Sequence, residues 1–195
     1  PGTYSGGGFW VAPTSPFGAG FSQAAAQQHI QARLQTNVLF RYAPNVNVYH
    51  CPGDSRYKLT PGNGWAFDSY SRTENVGGQG TWGCKVFTKM SAIRSPAMTF
   101  TFIEDADNRG YNWGTWVVSW TGGSPLFTWV DPPAVYHGTI TLFAFADGHV
   151  ETHKWLNSAI VAAGTAAGSG QTGFYFTGPS TGPDYQYIAD RYLHP

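Results

Sequence analysis

Residues 139–146 alternate cleanly, with Ile140, Leu142, Ala144 and Ala146 on one side and Thr139, Thr141, Phe143 and Phe145 on the other. That period of two predicts a strand. Asp147-Gly148 follows, and an Asp-Gly pair between two alternating runs predicts a hairpin, with His149 to Trp155 as the returning strand. A two-residue turn would set Ala144 opposite Glu151, Leu142 opposite His153 and Phe143 opposite Thr152.

Elsewhere the apolar pattern is helical. Ala26, Ile30, Leu34 and Val38 form an i, i+4 stripe behind a Ser22 N-cap, and Pro44 sets its end; such a helix is expected to pack on a sheet. Lys89–Arg94 predicts one helical turn, Met98–Ile103 a buried strand, and Trp116–Trp120 another strand. Asn157–Ala163 predicts a short helix, followed by a small-residue loop over 164–183 with a brief strand at Phe174-Tyr175-Phe176. Residues 184–193 predict a C-terminal helix with Asp184 as cap and Tyr185, Ile188 and Tyr192 on its apolar side. Residues 1–21 predict an extended segment, and 45–84, dense in Pro and Gly, a loop region. The whole, 1–195, reads as one loop-rich α+β domain: an antiparallel sheet of four or five strands with helices packed on one side.

Composition narrows the partners. Eleven basic and eleven acidic residues give a net charge of zero, which leaves no electrostatic footprint for nucleic acid or an anionic membrane. No run approaches the ~18 apolar residues needed to span a bilayer. Charged residues are only 11% and aromatics 16%, a balance typical of secreted or cell-surface proteins.

Several segments carry a family resemblance. His137, nine residues, Asp147-Gly148 and the alternation ending in His153-Lys154-Trp155 form one signature. Val48-Tyr49-His50-Cys51-Pro52-Gly53-Asp54, Asp68-Ser69-Tyr70-Ser71, Lys89 to Pro96 and the strand ending at Glu104-Asp105 agree with it, as does the tail from Asp184 to Arg191. Together they resemble the prepilin-like proteins, of type IV pilin or type II secretion pseudopilin kind, that carry a processing-associated H-x9-DG domain. The resemblance implies a pilin-like fold and an exported structural protein at the cell surface, outside the cell or in the periplasm. Members of that family open with a basic leader, a cleavage site and a long apolar helix. The sequence starts instead at Pro1-Gly2-Thr3-Tyr4, so the expectation is a trimmed domain or a relative without the helix, with filament self-association depending on a helix ahead of Pro1.

In an exported protein, Cys51 and Cys84 read as one disulfide; the alternative is two unpaired buried thiols. His137 and Asp147 stand ten residues apart on a strand, roughly 33 Å, too far to share an ion. Their expected roles, with Gly148, are therefore architectural, His137 anchoring to a group near Glu104 or Asp105 and Asp147 shaping the turn. Glu104, Asp105 and Asp107 are candidate ligands for an irregular calcium site, although Arg109 and Trp116 break the EF-hand pattern. His149, Glu151 and His153 share a strand side that suits zinc or, more simply, solvent.

Trp113, Trp116, Trp120 and Trp129 form an aromatic set suited to stacking on sugar rings, and the alternative is that they build the core. A second function follows from them: a carbohydrate-active protein, either a polysaccharide-binding module or a hydrolase, on the pilin-like scaffold. No Gly-x-Ser-x-Gly or phosphate-binding Gly loop supports catalysis.

Overall fold

A computed structural model describes residues 20–77, 80–107, 115–171 and 175–192. The extended segment expected over 1–21 falls almost wholly outside them. Helix α1 spans Gln23–Gln35, with the Ser22 hydroxyl accepting from the Ala25 N–H at 3.2 Å as its cap. It stops nine residues short of Pro44. The Asn37 side chain accepts from the Leu39 N–H, a local bond that competes with helix continuation, and Val38 is left exposed. The buried stripe Ala26, Ile30 and Leu34 packs on Tyr49, Trp65 and Phe67 of the following loops, not on a sheet.

Within the supposed loop region 45–84 lies a strand, β1 (Tyr70–Thr73). Its neighbours are β2 (Phe100–Glu104), paired antiparallel, and β3 (Thr115–Trp116), paired parallel. Val117 then turns the chain out of that sheet, and β4 (Val118–Trp120) pairs with β5 (Phe127–Trp129) in a separate two-stranded sheet. The hairpin β6 (Ile140–Phe145) and β7 (Val150–Lys154) completes the order β3-β1-β2-β6-β7. The five-stranded sheet is therefore mixed, where antiparallel pairing alone was expected.

The hairpin forms where predicted, one register step away. Phe143 faces Glu151 and Thr141 faces His153, because the loop holds three residues. The Gly148 N–H donates to the Phe145 carbonyl at 3.0 Å, and Gly148 takes φ 96°, the arrangement of a turn closed by a left-handed glycine. One step changes every cross-strand partner. Thr141, Phe143 and Phe145 point into the core, while Val150 is exposed.

Helix α2 runs over Ser158–Gly168 behind an Asn157 cap, replacing the first part of the loop expected over 164–183. Gly164 sits inside it where a Cβ would lie 2.4 Å from the Pro133 carbonyl; the glycine permits close packing and does not end the helix. Helix α3 spans Pro183–Arg191, and Asp184 lies in its first turn without capping it. Its carboxylate instead accepts from the Leu156 and Asn157 N–H groups at 2.9 and 2.7 Å, tying α3 to the start of α2. Phe174 lies outside the described residues, and Tyr175 and Phe176 form no strand.

Phe100, Ile103, Phe143, Trp155, Ile160, Ile188 and Tyr192 share one core between the sheet and helices α2 and α3. Among the described residues, no helix is long and apolar enough to cross a membrane.

Candidate functional site

The turn Cys51-Pro52-Gly53-Asp54 is closed by the Asp54 N–H donating to the Cys51 carbonyl at 2.9 Å. It ends on a buried ion pair. Arg56 donates to both Asp54 oxygens, Nη2 at 2.7 Å, and its remaining N–H groups reach the main-chain carbonyls of Asp68, Asp105 and Asp107 at 2.9–3.1 Å. Both residues are fully buried. A guanidinium, with five N–H donors in a planar fork, supplies the several bonds that join these three segments.

Ser69 extends the node. Its hydroxyl donates to Asp54 at 2.7 Å and accepts from the Cys51 N–H at 3.0 Å, and its carbonyl accepts from the Asp105 N–H. Tyr136 donates to the Asp105 carbonyl at 2.9 Å. That bond places the next residue, His137, beside β2.

The His137 Nε2 lies 3.1 Å from Glu104 Oε1 and 3.3 Å from Cys51 Sγ. The other Glu104 oxygen accepts from the Leu142 N–H at 2.9 Å, which fixes the carboxylate's orientation. Cys51 and Glu104 are buried, whereas the His137 side chain is 41% exposed. A Cβ at Gly53 would stand 3.3 Å from His137 Cε1, so a larger residue there would push the ring away from the thiol. Burial pushes the Cys51 thiol up to about 11, with the Gly53 and Asp54 amides pulling it down and Glu104 adding to the rise. The neighbouring Tyr70 hydroxyl is pushed to about 12, by burial first and then by Cys51.

These features argue against a nucleophilic relay. In a relay the carboxylate orients one ring nitrogen while the other faces the nucleophile. Here the thiol and carboxylate converge on the same nitrogen, and burial disfavours the thiolate.

Asp68 is the node's strained member. It is fully buried, and among the described residues neither carboxylate oxygen has a hydrogen-bond partner. Burial pushes its pKa up to about 7 against the opposing pull of Arg56. A folded value above the unfolded ~3.9 means the folded chain holds this proton more tightly. The resulting stability is present below about pH 4 and is lost as pH rises through about 7. Asp68→Asn is therefore expected to gain stability relative to the parent as pH rises from about 4 to about 7, by on the order of a few kcal/mol across the window. Urea denaturation at several pH values checks this, and parallel profiles for the two proteins would contradict it.

The expected anchor for His137 is present at Glu104, and Asp147 accepts from the His149 N–H within its own turn. Other expectations need correction. Among the described residues, Glu104, Asp105 and Asp107 do not form one ligand cluster: Glu104 turns to His137, while the main-chain carbonyls of Asp105 and Asp107 accept from Arg56. Among the described residues, the metal-ligating group that gathers is Cys51, Glu104 and His137, with ligand atoms within 4.8 Å of one another.

Cys51 and Cys84 are not joined. Cys51 touches Ser69, just before β1, and Cys84 Sγ lies 3.7 Å from Glu74, just after it. The two ends of that strand stand roughly 16 Å apart at 3.3 Å per residue.

Trp116 and Trp129 are buried at 0% and 4% exposure and belong to the core. Neither can offer a face to a sugar. Trp120 is half-buried against Phe127 and Tyr192, and Trp113 lies outside the described residues. His153 pairs with Asp184 at 2.9 Å while His149 stays with Asp147 and Glu151, so the β7 histidines do not converge on one point.

Arg56, Asp54 and Ser69 were not recognised as site residues from the sequence. The signal available for them was the tight Cys-Pro-Gly-Asp turn with an arginine two positions beyond it. No family model matches the chain, and no curated protein or solved structure matches it either.

Proposed function

We propose that the chain is the globular domain of an exported, pilin-like surface subunit whose H-x9-DG signature maintains architecture. One observation carries the reading: four of the segments that bear the family resemblance, distant from one another in sequence, meet at one place. Cys51 and Asp54 come from the first, Ser69 from the second, Glu104 and Asp105 from the strand after the third, and His137 from the signature. Bonds between segments so distant in sequence are what a fold-defining node requires, and the signature's two ends do separate local work. His137 ties the segment leading into β6 to Glu104 at the end of β2, while Asp147-Gly148 turns the hairpin. The sparse charge and aromatic composition suit an external surface.

Fractionation of the source cells, with an antibody raised against residues 20–192, tests the assignment. Recovery in the surface or extracellular fraction is expected. Retention in the cytoplasm would overturn it.

A further inference from the structure

We propose that Cys51, Glu104 and His137 form a three-ligand site for a borderline-soft divalent transition cation, zinc foremost, with water in the fourth position. The three ligand atoms come from three separate segments and converge within 4.8 Å. Zinc bonds of about 2.3 Å to sulfur and about 2.0–2.2 Å to nitrogen and oxygen, arranged tetrahedrally, separate sulfur from nitrogen by about 3.6 Å and nitrogen from oxygen by about 3.4 Å. The observed 3.3 and 3.1 Å lie within a few tenths of an ångström of those values. Small side-chain adjustments therefore admit the ion.

The local hydrogen-bond chemistry points the same way. Nε2 of His137 has a single position for either a proton or a lone pair, yet faces both a thiol and a carboxylate. With its proton it serves Glu104 and faces the sulfur with an N–H; without it, it meets Glu104 lone pair to lone pair. A cation at the centre bonds all three ligand atoms, with the imidazole neutral and the thiol ionised. Uptake of the ion releases the Cys51 proton to water, and the sulfur–metal bond takes the place of the S–H bond.

The surroundings suit such a centre. The Leu142 N–H holds the second Glu104 oxygen at 2.9 Å, the kind of outer contact that orients a metal ligand. Gly53 lets the imidazole approach. The buried Cys51 and Glu104 lie behind the ion, and the half-exposed His137 marks the open side from which metal and water enter. A thiolate in the set favours zinc over calcium or magnesium. The inference stands apart from the proposed export and is tested separately.

The experiment uses the whole chain, reduced, stripped with a chelator and titrated with Co²⁺ as a visible substitute. One equivalent is expected to produce a thiolate-to-cobalt charge-transfer band that Zn²⁺ abolishes by displacement and excess Ca²⁺ leaves alone. Cys51→Ser and His137→Gln should remove the band, whereas Cys84→Ser should keep it. Should a variant fail to fold, the parent chain still decides: Zn²⁺ should slow alkylation of Cys51 at least ~10-fold and leave Cys84 unaffected, as mapped by peptide mass. Cobalt binding without a thiolate band, a band that survives Cys51→Ser, or alkylation of Cys51 indifferent to Zn²⁺ would each overturn the proposal.

Discussion

Arg56→Met is expected to destabilise the fold by about 3–5 kcal/mol, the range for breaking a buried ion pair from one side. The parent guanidinium, without solvent exposure, bonds both oxygens of Asp54 and the carbonyls of Asp68, Asp105 and Asp107. Methionine fills similar volume but leaves a buried Asp54 charge and three carbonyls without their donor. Desolvation of those groups, more than lost attraction, sets the size of the effect. Arg56→Lys keeps the charge and loses the fork, so an intermediate loss is expected. Urea denaturation measures both. A loss below about 1 kcal/mol for methionine would show that the node contributes little.

Trp155→Ala should cost a similar amount, about 3–5 kcal/mol, for a different reason. Trp155 is 2% exposed, and its ring packs edge-on against His153 and Trp129. Its N–H donates to the Thr141 hydroxyl at 2.7 Å, and that hydroxyl in turn donates to the Ala134 carbonyl. Alanine opens a cavity between the hairpin and β5 and strips one bond from that chain. Trp155→Phe retains most of the packing and loses the N–H, so a penalty of about 1–2 kcal/mol is expected. Denaturant midpoints of the two variants separate the packing and hydrogen-bond contributions, and equal losses would contradict the division.

Whatever rested on local chemistry was legible in the sequence. The Ser22 cap, the Ala26-Ile30-Leu34 stripe, the Asp147-Gly148 turn and the His137 anchor at Glu104 each follow from neighbouring residues or a short list of partners. Strand β1 was not legible, because burial there is polar: Ser71, Arg72 and Thr73 lie inside without an apolar alternation to mark them. The hairpin register escaped for another reason. Asp-Gly serves a two-residue loop and a three-residue loop equally well, and one residue separates the two outcomes.

Gly164 shows the limit of reading glycine as punctuation. Its use is to let α2 approach the Pro133 carbonyl, a partner 31 residues earlier that local sequence does not reveal. The same holds for the thiols. Pairing Cys51 with Cys84 looked economical while 45–84 was read as loop, but a strand between them sends each to its own carboxylate, Glu104 and Glu74.

That distant motif residues act as one unit is tested most directly by a double-mutant cycle across Glu104 and His137, 33 residues apart in sequence and 3.1 Å apart in space. Glu104→Gln, His137→Gln and the double variant are unfolded in urea with a chelator present, so that bound metal plays no part. A coupling on the order of 0.5–3 kcal/mol is predicted, as for side chains in contact. Single losses that add to within about 0.3 kcal/mol of the double variant's loss would show that the signature histidine and the strand carboxylate act independently, and would contradict the account.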